Sequence, residues 1–388
     1  GTQGHILGTN MQTQTRGAHR CARWISTALA LCLTTSATWA QIRVGQPSGF
    51  SGAVAAGVKE NTEGATLYLD AVNAKGGING QKVELVSMDD QFDPKKTVAV
   101  ATELIDTQGV VALFLNRGTP HSEALLPLLT DRKVPLVAPS TGAMVLHQPV
   151  HPWVFNVRAT YQREAARAVE HLAGLGINRI AVLQTDDSFG ADAAQGANAG
   201  FDKAGQKPLW LEKFPRDKPD FTALAKKVRQ SDAQAVLFLG SAGSVSTGTR
   251  ALRDAGSKAL VVTLSNNASE GFIKLLGEHA RGVIVTQVFP SERSVAYSLT
   301  KEAMDLAKAK GLSGVSPAMM EGFAAAKVLV EGLRRAGPNP TGPKLRDALE
   351  GIKSVDLGGL MLGYSPTDHS GMDFTDLAII DAAGKFRR

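Results

Sequence analysis

Cysteine is nearly absent: the 388 residues hold two, Cys21 and Cys32, both within the first 40. From residue 41 onward a disulfide scaffold, a thiol nucleophile and a thiolate metal site are therefore excluded. Histidine is scarce too, eight in all. His147 and His151 stand four apart, but Pro149 between them keeps them off one helical face. No metal and no cofactor are expected. Phosphate-binding and nucleophile motifs are missing: there is no G-x-x-x-x-G-K-[ST] and no G-x-S-x-G. Gly174-Leu175-Gly176 lacks the third glycine of a dinucleotide fingerprint and precedes a strand pattern, so it reads as a helix stop. The acidic pairs Asp89-Asp90 and Asp186-Asp187 follow strand patterns and read as loop acids that cap the next helix, rather than as general acid and base. No enzyme is expected. Charge of one sign is not concentrated either. The formal excess is +6, and three of those charges are Arg16, Arg20 and Arg23; the rest is scattered, too mild for a nucleic-acid partner.

What is present begins with an export signal. Met11 reads as the start, with residues 1–10 as upstream leader. After the arginines comes an apolar run, Ile25 to Leu33, and then small and polar residues to Ala40. This basic, apolar, small-residue layout is that of a secretory signal peptide over 11–40. The run is far shorter than the ~20 residues of a membrane span. Cleavage is expected before Gln41, with a cut after Ala37 as the alternative. Leu29-Ala30-Leu31-Cys32 is a poor lipoprotein box, because a large residue precedes the cysteine inside the apolar run. No later run of 18 apolar residues occurs, and a periplasmic location is expected.

Beyond residue 41 short apolar runs alternate with longer amphipathic stretches. The strand patterns are Ile42–Gln46, Lys82–Met88, Val110–Leu115, Val134–Ala138, Arg179–Gln184, Ala235–Leu239, Ala259–Leu264 and Gly282–Val288. They are near-continuous apolar runs, as parallel strands covered on both faces require. Helical patterns fill the gaps, with Asp93-Pro94 and Ser316-Pro317 as start signals. After Val288 come two long helices, Ser291–Lys310 and Pro317–Ala336, a turn-rich segment at 337–342, and short strands near 359–365 and 377–381. The β/α series runs once from Gln41 to about Phe155 and restarts near Arg179. This order predicts an α/β protein of two doubly wound parallel-sheet lobes.

In such sheets ligands bind beyond the carboxyl ends of the strands. The loops there are rich in small polar residues: Gln46 to Gly49 with Ser48, Asn116 to Thr119, Ser140 to Gly142, Gly240 to Gly243 with Ser241, and Ser265 to Asn267. Each leads into a helical pattern, whose free N–H groups suit an anion. Small polar residues also simply make good turns, but their recurrence at equivalent places in two lobes points to a small-molecule cleft.

The ordered motifs resemble a known family. Ile42-Arg43-Val44-Gly45 leads to Ser51-Gly52. Asp70, Asn73, Gly76-Gly77 and Ile78-Asn79-Gly80 match a D-x-x-N-x-x-G-G-I-N-G stretch. Val83-Glu84-Leu85, Asp89-Asp90, Val134-Pro135-Leu136, Pro139-Ser140, Phe155-Asn156-Val157-Arg158 and Asp187-Ser188-Phe189-Gly190 follow in order. Together they resemble the periplasmic solute-binding proteins of ABC importers of the branched-chain amino acid type. The resemblance implies the type I periplasmic binding fold: two lobes joined by three hinge crossings that close on a ligand. The crossings would fall near Phe155–Arg158, Val285–Phe289 and Met361–Ser365. Lobe 1 would hold residues 41–157 and 288–362, and lobe 2 residues 158–287 and 363–388.

By the same resemblance the loop that holds a ligand carboxylate falls on Asn116, Arg117, Gly118 and Thr119. The loop that binds the ligand backbone falls on Ser140, Thr141 and Gly142. Phe189 takes an aromatic position, a second such position falls near Ser241–Ala242, and a hinge contact falls near Gln287–Phe289. The acid that pairs with an α-ammonium falls near Ser265, which is neutral, as are its neighbours Asn266 and Asn267; Asp187, Glu321 or backbone carbonyls could replace it. Arg117 adds a cation beside the carboxylate loop, and the family's disulfide in the first lobe is missing. The expected role is capture of a small polar solute (amino acid, organic or aromatic acid, or amide) by a monomer that delivers it to inner-membrane ABC permease subunits. The alternative is a ligand sensor of the same fold acting through a partner.

Overall fold

A computed structural model describes residues 40–388. The expected leader, and the export signal up to Trp39, lie outside the described residues.

The first lobe is built on a five-stranded sheet of β1 (Ile42–Ser48), β2 (Val83–Asp89), β3 (Ala112–Phe114), β4 (Leu136–Val137) and β5 (Val154–Phe155). All neighbours are parallel, in the order β2-β1-β3-β4-β5. The helices α1 (Ala55–Ala74), α2 (Pro94–Asp106) and α3 (Thr119–Arg132) connect these strands. After the first passage between lobes come α4 (Tyr161–Gly174), β6 (Ile180–Thr185), α5 (Ser188–Ala204), β7 (Trp210–Phe214), α6 (Thr222–Gln230), β8 (Ala235–Leu239), α7 (Ala242–Asp254), β9 (Leu260–Thr263), α8 (Glu270–Leu276) and β10 (Ile284–Gln287). Then α9 (Ser298–Ala309), α10 (Pro317–Ala336) and α11 (Gly342–Glu350) return to lobe 1. The hairpin β11 (Val355–Asp356) and β12 (Met361–Leu362) follows. The chain ends with β13 (Asp376–Ile380) and β14 (Phe386–Arg387) in lobe 2. The second sheet is seven-stranded, β14-β13-β10-β9-β8-β6-β7. Its five β/α strands are parallel, and β13 and β14 add antiparallel to one edge.

Strand side chains alternate between faces, and here both faces are covered. Ala112 and Phe114 pack into the layer that contains α1 and α10, while Leu113 packs with α2 and α3. Ile180 and Val182 likewise face one helical layer, and Ala181 and Leu183 the other. This is why a strand such as β8 reads as an unbroken apolar run. Asp93 and Ser316 cap α2 and α10 by accepting from Lys95 N–H and Met319 N–H, each before a proline. The helix pair α1–α10 is pressed together. A Cβ on Gly64 would stand 1.9 Å from the Met319 carbonyl oxygen, and one on Gly322 1.8 Å from that of Asn61.

The sequence reading differs from the structure at several elements. It lacks β7, a half-buried edge strand whose Glu212 and Lys213 break the apolar run, and it lacks α8. It puts only turns where α11 begins, with Thr341 accepting from Lys344 N–H, and it starts α9 seven residues early. The third passage is also misplaced. It was expected near Met361–Ser365, but Leu362, Tyr364 and Met372 all pack in the lobe 1 core, and lobe 2 is entered only at β13. The reason is anchorage to the first passage. Tyr364 OH donates to the Asn156 carbonyl at 2.6 Å. Asn156 N–H donates to the His369 carbonyl at 2.9 Å, and Met372 N–H to that of Val157 at 3.0 Å. Residues 363–372 therefore belong with lobe 1 rather than lobe 2.

Candidate functional site

Loops that follow strands of both lobes converge on one cavity. Its empty volume is about 450 Å³, part of it open to solvent. Lobe 1 contributes Val54, Phe92, Arg117, Gly118, Thr119 and Pro120. Lobe 2 contributes Thr185, Asp187, Phe189, Arg216, Ser241, Ser244 and Asn266, and Tyr161 stands just past the first passage.

Arg117 is built in from several sides. Its N–H donates to Ser48 Oγ at 3.1 Å. Its backbone bridges to Ser140, whose N–H donates to the Asn116 carbonyl at 2.8 Å. The side chain is 5% exposed. Nη2 donates to Asn61 Oδ1 on α1, and Nη1 crosses the cleft to the Asn266 carbonyl, both at 2.9 Å. Nε is buried without a partner. The next residue, Gly118, sits at φ 109°, and a Cβ there would come within 2.1 Å of His121 Nδ1, so only glycine fits. The α3 N-terminus, at Thr119 and Pro120, thus opens onto the cavity with its partial positive charge. Thr119 and Thr141 share a hydroxyl hydrogen bond of 2.7 Å.

The apolar wall is aromatic. Phe189 meets Tyr161 edge to face with centroids 5.0 Å apart, and Phe92 stacks on His121 at 4.1 Å. His121 is fully buried and neither ring nitrogen has a partner. Burial lowers its pKa to about 4, so the ring is neutral at pH 7. Asp187 is the acid of the cavity. Burial raises its pKa, opposed by the backbone N–H of Gly190, which it accepts at 2.9 Å as the cap of α5. Arg216 acts by charge on both Asp187 and His121, yet no hydrogen bond or ion pair holds its side chain among the described residues.

Of the residues singled out in the sequence, the cavity gathers Arg117, Gly118, Thr119, Phe189, Ser241 and Asn266. Ser48, Asn116, Ser140, Thr141 and Gly142 stand behind them. Asn116 Nδ2 donates to Ser122 Oγ, Ser140 Oγ donates to Glu321 Oε2 at 3.0 Å, and the Gly142 carbonyl accepts from Tyr161 N–H. Ser265 and Gln287 lie elsewhere, at a small separate cavity beside Glu321. Asp89 and Asp90 hold turns, accepting from Ser51 and Phe92 N–H groups. The sequence reading omits Val54, Phe92, Pro120, Tyr161, Thr185, Ser244 and Arg216. Arg216 was findable: with β7 recognised, it stands just past a strand's carboxyl end like the other loops.

Below the cavity a buried charge cluster ties the lobes. Arg158, in the first passage, pairs with Glu164 on α4 and reaches Glu321 on α10 at 3.5 Å. Glu164 Oε1 also accepts from Ser265 N–H at 2.9 Å and Thr286 Oγ1 at 2.6 Å.

Comparison with known proteins agrees with this architecture. The periplasmic binding protein family model matches residues 41–385. A Leu/Ile/Val-binding protein homolog 3 from Brucella melitensis is 26% identical over 333 residues, 86% of this chain and 89% of its own length. An amino acid binding protein from Pseudomonas aeruginosa is 28% identical over 255 residues, 64% of this chain and 67% of its own. The crystal structure of a substrate-binding periplasmic protein from Ralstonia solanacearum superposes with a TM-score of 0.82 at 30% identity, covering 89% of this chain and 99% of that one. These relatives are named for binding, none for catalysis. A match over nearly the whole described chain, on a two-lobed fold with a cavity between the lobes, makes this protein a member of the periplasmic binding protein family.

Proposed function

We propose that the protein is the periplasmic solute-capturing component of an ABC importer, acting as a monomer without metal or cofactor, and that its solute carries a carboxylate on an apolar or aromatic body. The observation that supports this most is Arg117. It is a nearly fully buried guanidinium with an unpartnered Nε, beside the open N-terminus of α3, on the wall of the cavity between the lobes. A carboxylate satisfies such a donor set in a directed way. Val54, Phe92, Tyr161 and Phe189 offer the apolar contact.

An α-amino acid is the competing solute. The names of the Brucella and Pseudomonas relatives favour it, and Asp187 could face an ammonium. Against it, Asp187 already caps α5 and burial disfavours its charged form. A thermal-shift screen of amino acids, organic acids, aromatic acids and amides separates the two. A bound solute at a hundredfold excess over its Kd adds about 2.7 kcal/mol of stability. Small-angle scattering should show the protein becoming more compact with the same compound. Stabilisation by branched amino acids alone, or recovery of a chemically altered solute, goes against the reading.

A further inference from the structure

We propose that the solute is a dicarboxylate, with one acid group received by Arg117 and the α3 N-terminus in lobe 1 and the second by Arg216 in lobe 2. This rests on the binding reading above and narrows its substrate class.

The charged residues on the cavity wall are two arginines and one aspartate. Their partners differ. Asp187 serves the fold: Oδ1 accepts from Gly190 N–H at 2.9 Å, and Oδ2 from Thr185 Oγ1 at 3.5 Å. Arg117 keeps Nε unpartnered in a side chain that is 95% buried, its exposure being 5%. Arg216 is half-buried and lacks any hydrogen bond or ion pair among the described residues. Of the two groups that Arg216 acts on by charge, His121 is neutral and Asp187 is already engaged by Gly190 N–H and Thr185 Oγ1. The cavity therefore presents two guanidiniums with donor capacity to spare.

A monocarboxylate answers one of them and leaves the other without an anion. An α-amino acid answers one and adds an ammonium. A dicarboxylate answers both, and its carbon body lies against Phe92, Tyr161 and Phe189. Because the arginines come from opposite lobes, the second ion pair forms only as the cleft closes. The second acid group then contributes affinity through the closed state.

Matched pairs test this by titration calorimetry at pH 7.5: glutarate against butyrate, terephthalate against benzoate, with leucine beside them. In at least one pair the dicarboxylate should bind tenfold or more tightly than its partner. That preference should vanish in Arg216→Gln, with the variant's melting temperature near wild type as the check on folding. A monocarboxylate or leucine binding as tightly as either dicarboxylate overturns the proposal. So does a preference that survives Arg216→Gln, or the absence of dicarboxylate binding. Binding of leucine or benzoate with compaction in scattering would refute the dicarboxylate while leaving the solute-binding reading intact.

Discussion

Arg117 Nη1 donates to the backbone carbonyl of Asn266 at 2.9 Å, so a lobe 1 cation is bonded to a lobe 2 loop across the cleft. Other bonds cross there too. Glu60 of α1 accepts from Glu270 and Gly271 N–H at the start of α8, at 2.9 and 3.0 Å. Gly243 N–H donates to the Ala53 carbonyl, and Met144 N–H to Asp192 Oδ1 at 3.1 Å. The structure is thus a closed form. Arg117 both lines the cavity and bonds across the cleft; under the proposed function this would couple solute binding to lobe movement.

Arg117→Ala should weaken binding of any carboxylate solute by at least tenfold, about 1.4 kcal/mol. It removes a charged donor from the solute and a bond from the closed state. Calorimetry with wild type and variant measures it. An unchanged Kd would mean that the side chain only braces the loop.

Glu164→Gln should cost about 3–5 kcal/mol of stability, since it leaves Arg158 buried with Glu321 as its remaining carboxylate partner at 3.5 Å. Urea unfolding measures this. A loss under 1 kcal/mol would show that the cluster does not depend on the Arg158–Glu164 pair.

Gly322→Ala should destabilise by about 1–3 kcal/mol or more, because the new methyl meets the Asn61 carbonyl oxygen and must push α1 away from α10. A lowered melting temperature is expected. Alanine at the exposed Gly174, where a Cβ meets nothing within 4 Å, is the control.

His121 gives a pH dependence. Its folded pKa of about 4 lies below the ordinary histidine value of 6.5, so between these the unfolded chain binds more protons and stability falls as pH falls. From pH 7 to pH 5 this one ring accounts for about 2 kcal/mol of loss. His121→Leu should lose less than wild type over that interval in unfolding titrations at each pH. Equal slopes would contradict the burial argument. Asp187 has its pKa raised by burial and acts in the opposite sense, so the comparison of the two chains, and not the wild-type slope alone, is the readout.

The sequence by itself determined the layering and the order. Runs such as Ala235–Leu239 have no polar face because both faces of the strand are covered, and that pattern is local. The caps Asp93 and Ser316 and the polar loops after strands are local as well, which is why Arg117, Thr119, Ser241 and Asn266 stand out in the sequence, while Phe189 stands out only through the family resemblance. Tertiary structure decided what local pattern cannot carry. It put Arg216 beside the cavity from an edge strand with charged residues. It tied residues 363–372 to lobe 1 through Tyr364 and the Asn156 carbonyl, more than 200 positions apart. It also turned Ser265 and Gln287 toward another space and left Asp187 as the acid of the cleft. Which polar loop residue faces the solute depends on how two separately folded sheets meet, and that is set by contacts distant in sequence, such as Arg117 with Asn266.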